Sequence, residues 1–213
     1  MVLGELVIVG DNACHGNGAC TQINKAAATI GNDSCLGFEA CAGGNGFAFE
    51  VSIGRFSCLC ERTCRNIANE AAAVTIGDRS CRGHQTCEQA EGVVIGMNSC
   101  VGDNSCVNFN SGDATNKKVV GGSSCYGDEA CKDSDIDVGS GSCWGDFACD
   151  GLVGAVIEDG ACIGTSACSS LDSGTTVGEG ACIGVGICNC SNPGGYGGNI
   201  PAGACVDADE NCC

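Results

Sequence analysis

A twelve-residue unit runs through nearly the whole chain and leaves few folds open. It is seen in full at residues 95–106, where an aliphatic anchor precedes Gly-x-x-small-Cys and then x-Gly-x-x-small-Cys. The anchors are Val9, Ile30, Ile53, Ile76, Ile95, Val120, Val138, Ile157, Val177 and Ile200, and each is followed five residues later by a cysteine. Nine of these cysteines have a partner six residues on: Cys14 and Cys20, Cys35 and Cys41, Cys58 and Cys64, Cys81 and Cys87, Cys100 and Cys106, Cys125 and Cys131, Cys143 and Cys149, Cys162 and Cys168, Cys182 and Cys188. In the tenth copy Cys205 has its counterpart one residue late, at Cys212. Successive first cysteines lie 18 to 25 residues apart. That period fits one coil of a β-solenoid, in which a repeat buries its apolar edge only by stacking on its neighbours.

The expected fold is therefore all-β: one disulfide-rich solenoid of about ten coils over residues 1–213, with 189–213 as a cysteine-crowded C-terminal coil or cap. The residue two before the anchor is usually apolar or small, as at Ala28, Val51, Val74 and Val93, which makes a period-2 strand with Thr29 or Thr75 pointing outward. Gly10, Gly31, Gly54, Gly77, Gly96, Gly121, Gly139 and Gly178 are expected to turn the chain with positive φ. A second short strand would carry small-Cys-x, a second glycine another corner, and a third strand the second cysteine. The remainder of each coil should bulge outward as a loop.

Two inward cysteines six apart across a glycine corner approach closely in a narrow coil. Nine such bridges, each removing about 2–3 kcal/mol of unfolded-state freedom, would replace the core that a chain with few large apolar side chains lacks. Bridges between coils and reduced thiols serving as a metal store remain alternatives, although thiolate clusters favour closer spacing. Only Cys58/Cys60, Cys188/Cys190 and Cys212/Cys213 have such spacing. The total of 23 cysteines is odd; Cys190, Cys205, Cys212 and Cys213 are expected to staple the last coil, leaving Cys60 over. The bridge spacing resembles the disulfide-filled solenoids of insect antifreeze proteins, and the Gly-x-x-Ser-Cys-x-Gly-x-x-Ala-Cys unit is similar to a group of cysteine-rich repeat proteins. The Thr-Cys-Thr face through which the antifreeze family binds ice is missing here, since Cys81 is flanked by Ser80 and Arg82.

With the cysteines inward, the residue after the first cysteine of each coil faces out. That row holds His15 and Arg82 and otherwise Leu36, Leu59, Val101, Tyr126, Trp144, Ile163, Ile183 and Val206, an apolar stripe of the kind that marks an interaction surface. Opposite parity, with the stripe inside, is the alternative. A formal charge of −17 speaks against nucleic acid or an anionic membrane as partner, and no apolar run is long enough for membrane insertion. The arginines Arg55, Arg62, Arg65, Arg79 and Arg82 all fall in coils three and four, a candidate patch for an anionic glycan or for orienting one rod against another; ordinary solvated surface is the plainer reading. Asp103, Asp128 and Asp146 recur at one corner position, where stacked carboxylates would recruit Ca²⁺ or simply make solvated turns. No other cofactor or metal is expected. Asn32 and Asn189 fit the glycosylation acceptor pattern.

No catalytic residue is expected: His15 and His84 lie beside no repeated acid or nucleophile pattern. The chain reads as a rigid extracellular or cell-surface structural protein, self-associating or joining another structural protein in a filament or coat, rather than as an enzyme. Ice binding is the second reading, and a carbohydrate-binding or carbohydrate-cleaving solenoid is the third. Nothing at residues 1–5 looks like a secretory signal, so a mature form or excised piece is expected if the protein is exported.

Overall fold

The structure, a computed structural model, describes residues 7–21, 27–43, 50–67, 73–109, 117–188 and 199–206. It is a right-through stack of short parallel strands: β1 (Val7–Val9), β2 (Ala28–Ile30), β3 (Val51–Ile53), β4 (Val74–Ile76), β5 (Val93–Ile95), β6 (Lys118–Val120), β7 (Asp135–Val138), β8 (Val153–Ile157) and β9 (Thr176–Val177). They pair in sequence order in one nine-stranded parallel sheet, and a Val177–Ile200 bridge adds a tenth coil. Register follows the repeat, with Ile30 beside Ile53 and Ile53 beside Ile76. The strands are rich in β-branched residues, and from β2 to β7 buried and outward residues alternate, whereas β1 is exposed throughout; Ile30, Ile53, Ile76 and Ile95 are at most 2% exposed. The all-β solenoid is thus the fold of this chain.

The described residues contain nine disulfides, each joining a Cys-x5-Cys pair within one coil from Cys14–Cys20 to Cys182–Cys188. The sulfurs fill the bore, and from Cys35 to Cys182 the paired cysteines are wholly buried. Such bridges persist in an oxidising environment.

Two details of the coil differ from the expectation. The eight anchor-proximal glycines do not have positive φ; they are needed because the next coil passes too close for a side chain. A Cβ on Gly77 would lie 2.7 Å from the Met97 amide nitrogen. The turning is done by the cysteines themselves: all eighteen bridged residues of the nine pairs have φ between 53° and 61°. A left-handed residue costs an L-amino acid roughly 1–2 kcal/mol, which here points each Cβ inward to meet its partner sulfur. The expected third strand is consequently a turn, and the second strand shrinks to one residue per coil.

The small residue before each first cysteine has a role beyond fitting the bore. Ser99 Oγ donates to the Gly121 carbonyl at 2.7 Å and accepts from the Ser124 amide at 3.2 Å. The same pair of bonds is made by Ser34, Ser57, Ser80, Ser124 and Ser142 with the coil that follows. This buried hydroxyl ladder sews successive coils together and satisfies corner amides and carbonyls that the strands leave unpaired. A fourth inward position lies three residues after the second cysteine. Ile67, Phe109 and Leu152 fold back there and are at most 1% exposed. One strand breaks the apolar rule: Lys118, 6% exposed in the inward column, has its Nζ 3.4 Å from Asp135 of the next coil.

Candidate interaction surface

The residue after each first cysteine faces away from the bore, because the left-handed cysteine before it turns its own side chain inward. These residues form a second parallel ladder, one bridge per coil, running Leu36, Leu59, Arg82, Val101, Tyr126, Trp144, Ile163, Ile183, Val206. Most are half-buried by their neighbours in the row, while Trp144 is 42% and Val206 44% exposed. The Tyr126 and Trp144 ring centroids lie 5.5 Å apart at 49°, and the Trp144 indole N–H donates to the Ser123 carbonyl at 2.6 Å. That bond lays the indole along the surface rather than letting it project. The result is a continuous, mostly apolar row with one cation, Arg82, in it.

The five arginines do not converge. Arg55 and Arg79 stand at the corner between the sheet and the stripe, Arg82 is in the stripe, and Arg62 and Arg65 are beyond the second corner. Three are already paired: Arg55 Nη2 with Asp78 at 3.1 Å, Arg65 with Glu39 at 2.8 Å and Glu88 at 3.2 Å, and Arg62 with Glu39 at 3.5 Å. The Asp78 carboxyl is held below its ordinary value chiefly by the hydrogen bond from the Arg55 amide, with the Arg55 guanidinium adding to it. Arg79 and Arg82 are exposed.

The repeated acids are backbone caps. Asp103 Oδ1 accepts the His84 amide at 2.8 Å, Asp128 the Asp103 amide at 3.0 Å and Asp146 the Asp128 amide at 3.0 Å. Each carboxylate thereby satisfies an amide of the coil before it. In the same half, burial pushes the Asp150 carboxyl up against the opposing pull of Lys132, and Lys132 itself is pushed up by its hydrogen bond to Glu129.

Among the remaining candidates, His84 Nδ1 is 3.9 Å from Glu61 and His15 is exposed. Asn32 spends its carbonyl oxygen on the Asp11 amide at 3.2 Å, and Ser34 of its acceptor triplet is wholly buried. Cys60 is a free, exposed thiol at φ 128°. Cys205 is disulfide-bonded; Asn189, Cys190, Cys212 and Cys213 lie outside the described residues. Sulfurs of adjacent coils approach closely enough to hold an ion at Cys35/Cys41/Cys58, Cys100/Cys106/Cys125 and Cys182/Cys188/Cys205, but all nine of these cysteines are bridged and have no thiolate to give. Among the described residues no helix is long and apolar enough to cross a membrane.

No curated protein and no solved structure matches the chain. A family model does match, over residues 101–210. That stretch is just over half of the chain and begins inside the fifth coil, so the match is to the repeat array itself: the chain belongs to the family described as Domain of unknown function (DUF7640).

Proposed function

We propose that this chain is a rigid extracellular structural protein that self-associates through its apolar stripe, as a building element of a surface filament or coat. The observation that carries the reading is the stripe ladder, nine consecutive coils with one continuous row of mostly apolar, half-buried to exposed side chains on the outer face. Hiding about 500 Å² of such surface is worth on the order of 12 kcal/mol gross at about 25 cal/mol per Å². Association costs about 4–15 kcal/mol in lost freedom, so a rod already stiffened by disulfides and buried serines is suited to pairing because it has little further order to lose. The oxidising chemistry of nine disulfides supports an extracellular site. The role proposed is not enzymatic.

The test is light scattering after size exclusion, together with electron microscopy, on the oxidised protein and on Trp144→Glu and Ile163→Glu. Wild type is expected to run above its 21.1 kDa monomer mass, and both variants to run as monomers with unchanged melting. A strictly monomeric wild type at high concentration refutes the reading.

Ice binding has one supporting observation, the outward column of the nine-stranded sheet. It carries Thr29, Ser52, Thr75, Val94, Val119 and Val156 at strand spacing but is broken by Asp137. Absence of thermal hysteresis and of ice-crystal reshaping removes it.

A further inference from the structure

The corner that flanks the stripe on its sheet side changes character along the rod. In coils three to five it is bulky and carries two cations against one acid: the Arg55 side chain is 65% exposed, Phe56 44% and Met97 61%, Arg79 is exposed, and Asp78 between them is held by Arg55 at 3.1 Å. In coils seven to nine the same corner is bare and acidic. Gly141, Gly160 and Gly180 occupy the positions of Phe56 and Arg79, with φ between 64° and 68° and nothing within 4 Å of where a Cβ would be. Asp159 and Glu179 beside them are exposed. Bulk and a net positive charge at one end thus correspond to open space and negative charge at the other, about an apolar row shared by both.

We infer that the stripe receives a second copy of this chain in antiparallel orientation, about a twofold axis passing through coil six at Tyr126; this rests on the self-association proposed above. A twofold axis lying in the interface and perpendicular to the rod sets each corner against its own counterpart with the coil order reversed. Coil four then meets coil eight: Arg79 lies over Gly160 of the other copy and reaches the neighbouring Asp159, which also comes opposite Asp78, a carboxylate already held by Arg55. Coil three meets coil nine, bringing Arg55 to Glu179 and seating Phe56 over Gly180. Within the stripe Leu59 meets Ile183, Val101 meets Trp144, and the Arg82 stem covers Ile163. A parallel pair, with its twofold along the rod, would instead set this corner against the far corner of the other copy and lose these pairings. The row spans eight intervals of about 4.8 Å, or about 40 Å. With its corner it offers on the order of 700 Å² per copy, near the roughly 800 Å² of a standard interface. On the far flank the axis brings two copies of Asp128 together and sets each Asp103 against Asp146 of the other copy, a repulsion the pairing must overcome.

Cys60, the exposed thiol of coil three, reports the orientation directly. With a nitroxide on Cys60, the antiparallel pair separates the labels by six coil intervals, about 29 Å along the rod, and pulsed electron spin resonance is expected to give about 30–35 Å. A dimer with labels within about 20 Å would overturn the antiparallel arrangement while leaving self-association intact; a wild-type protein that never dimerises would overturn both. The unlabelled arm uses charge reversal. Arg79→Glu and Asp159→Arg are each expected to weaken the dimer about tenfold, and an equimolar mixture of the two to restore it, since both contacts between positions 79 and 159 in the mixed dimer are again of opposite sign. Asp128→Asn, which keeps the acceptor for the Asp103 amide, is expected to tighten the dimer. Charge reversals without effect, or a mixture no tighter than either variant alone, would refute the register.

Discussion

Replacing Cys60 by glycine is expected to stabilise the protein. Cys60 sits where other coils have a glycine with φ between 128° and 146°: Gly16, Gly37, Gly83, Gly102, Gly127, Gly145, Gly164 and Gly184. That region is closed to residues with a Cβ, and holding one there costs of order 1–3 kcal/mol. The steric reason is visible on either side: a Cβ built on Gly37 would collide with the Cys60 carbonyl, and one on Gly83 with the Gly102 carbonyl. The Cβ that Cys60 does carry must be accommodated against the coil that follows. Glycine returns about 0.5–1 kcal/mol of this through its larger unfolded-state entropy, leaving a net gain of about 0.5–2 kcal/mol. In a chain of this length that raises the melting temperature by about 1–8 °C. The assay is circular dichroism melting at fixed scan rate under non-reducing conditions, beside Cys60→Ser, which removes the thiol and keeps the Cβ. Serine is expected to melt with wild type and glycine above both. A glycine variant no more stable than the serine variant refutes the strain argument, and one equal to it but above wild type assigns the effect to thiol exchange.

Ser99→Ala removes the hydroxyl that serves both the Gly121 carbonyl and the Ser124 amide. Two buried backbone groups each lose about 1 kcal/mol, so melting is expected to fall by about 4–8 °C, and hydrogen exchange at the Ser124 amide should speed up. Removing one bridge with Cys100→Ser and Cys106→Ser is expected to cost about 2–3 kcal/mol by the loop-entropy relation, read from denaturant unfolding, with the other bridges intact by mass. Asp150→Asn tests a pH effect. The folded carboxyl is raised by burial, so its ionised form is less welcome folded than unfolded and its penalty disappears as pH falls through the raised value. The asparagine variant should therefore melt above wild type at pH 7 and converge with it in acid; a gain that persists in acid refutes the assignment.

How much was legible in the chain depends on how far apart the deciding residues are. The repeat alone gave the parallel all-β stack, the anchors Ile30 to Ile95 in register, and the outward direction of Leu36 and Trp144, because period and parity are local properties of a few consecutive residues. It also singled out Cys60, since one residue stands where its relatives are glycine. The backbone angles were not legible. Glycine was read as the turning residue, whereas the structure turns at cysteine and keeps glycine at Gly77 for its lack of a side chain against Met97.

What tertiary structure decided are relations between residues about twenty positions apart. Ser99 reads only as small until Gly121 and Ser124 are stacked above it. Asp103, Asp128 and Asp146 read as solvated turns, with a cation column the alternative, until each is seen holding an amide of the coil below. The five arginines are close in sequence, which leaves a patch open beside the plainer reading of solvated surface, but a coil distributes such neighbours over different faces, and Arg62 and Arg65 turn away to Glu39. The sequence determined what each coil is; stacking determined what each side chain meets, because in a solenoid the nearest neighbour in space is one full period away in the chain.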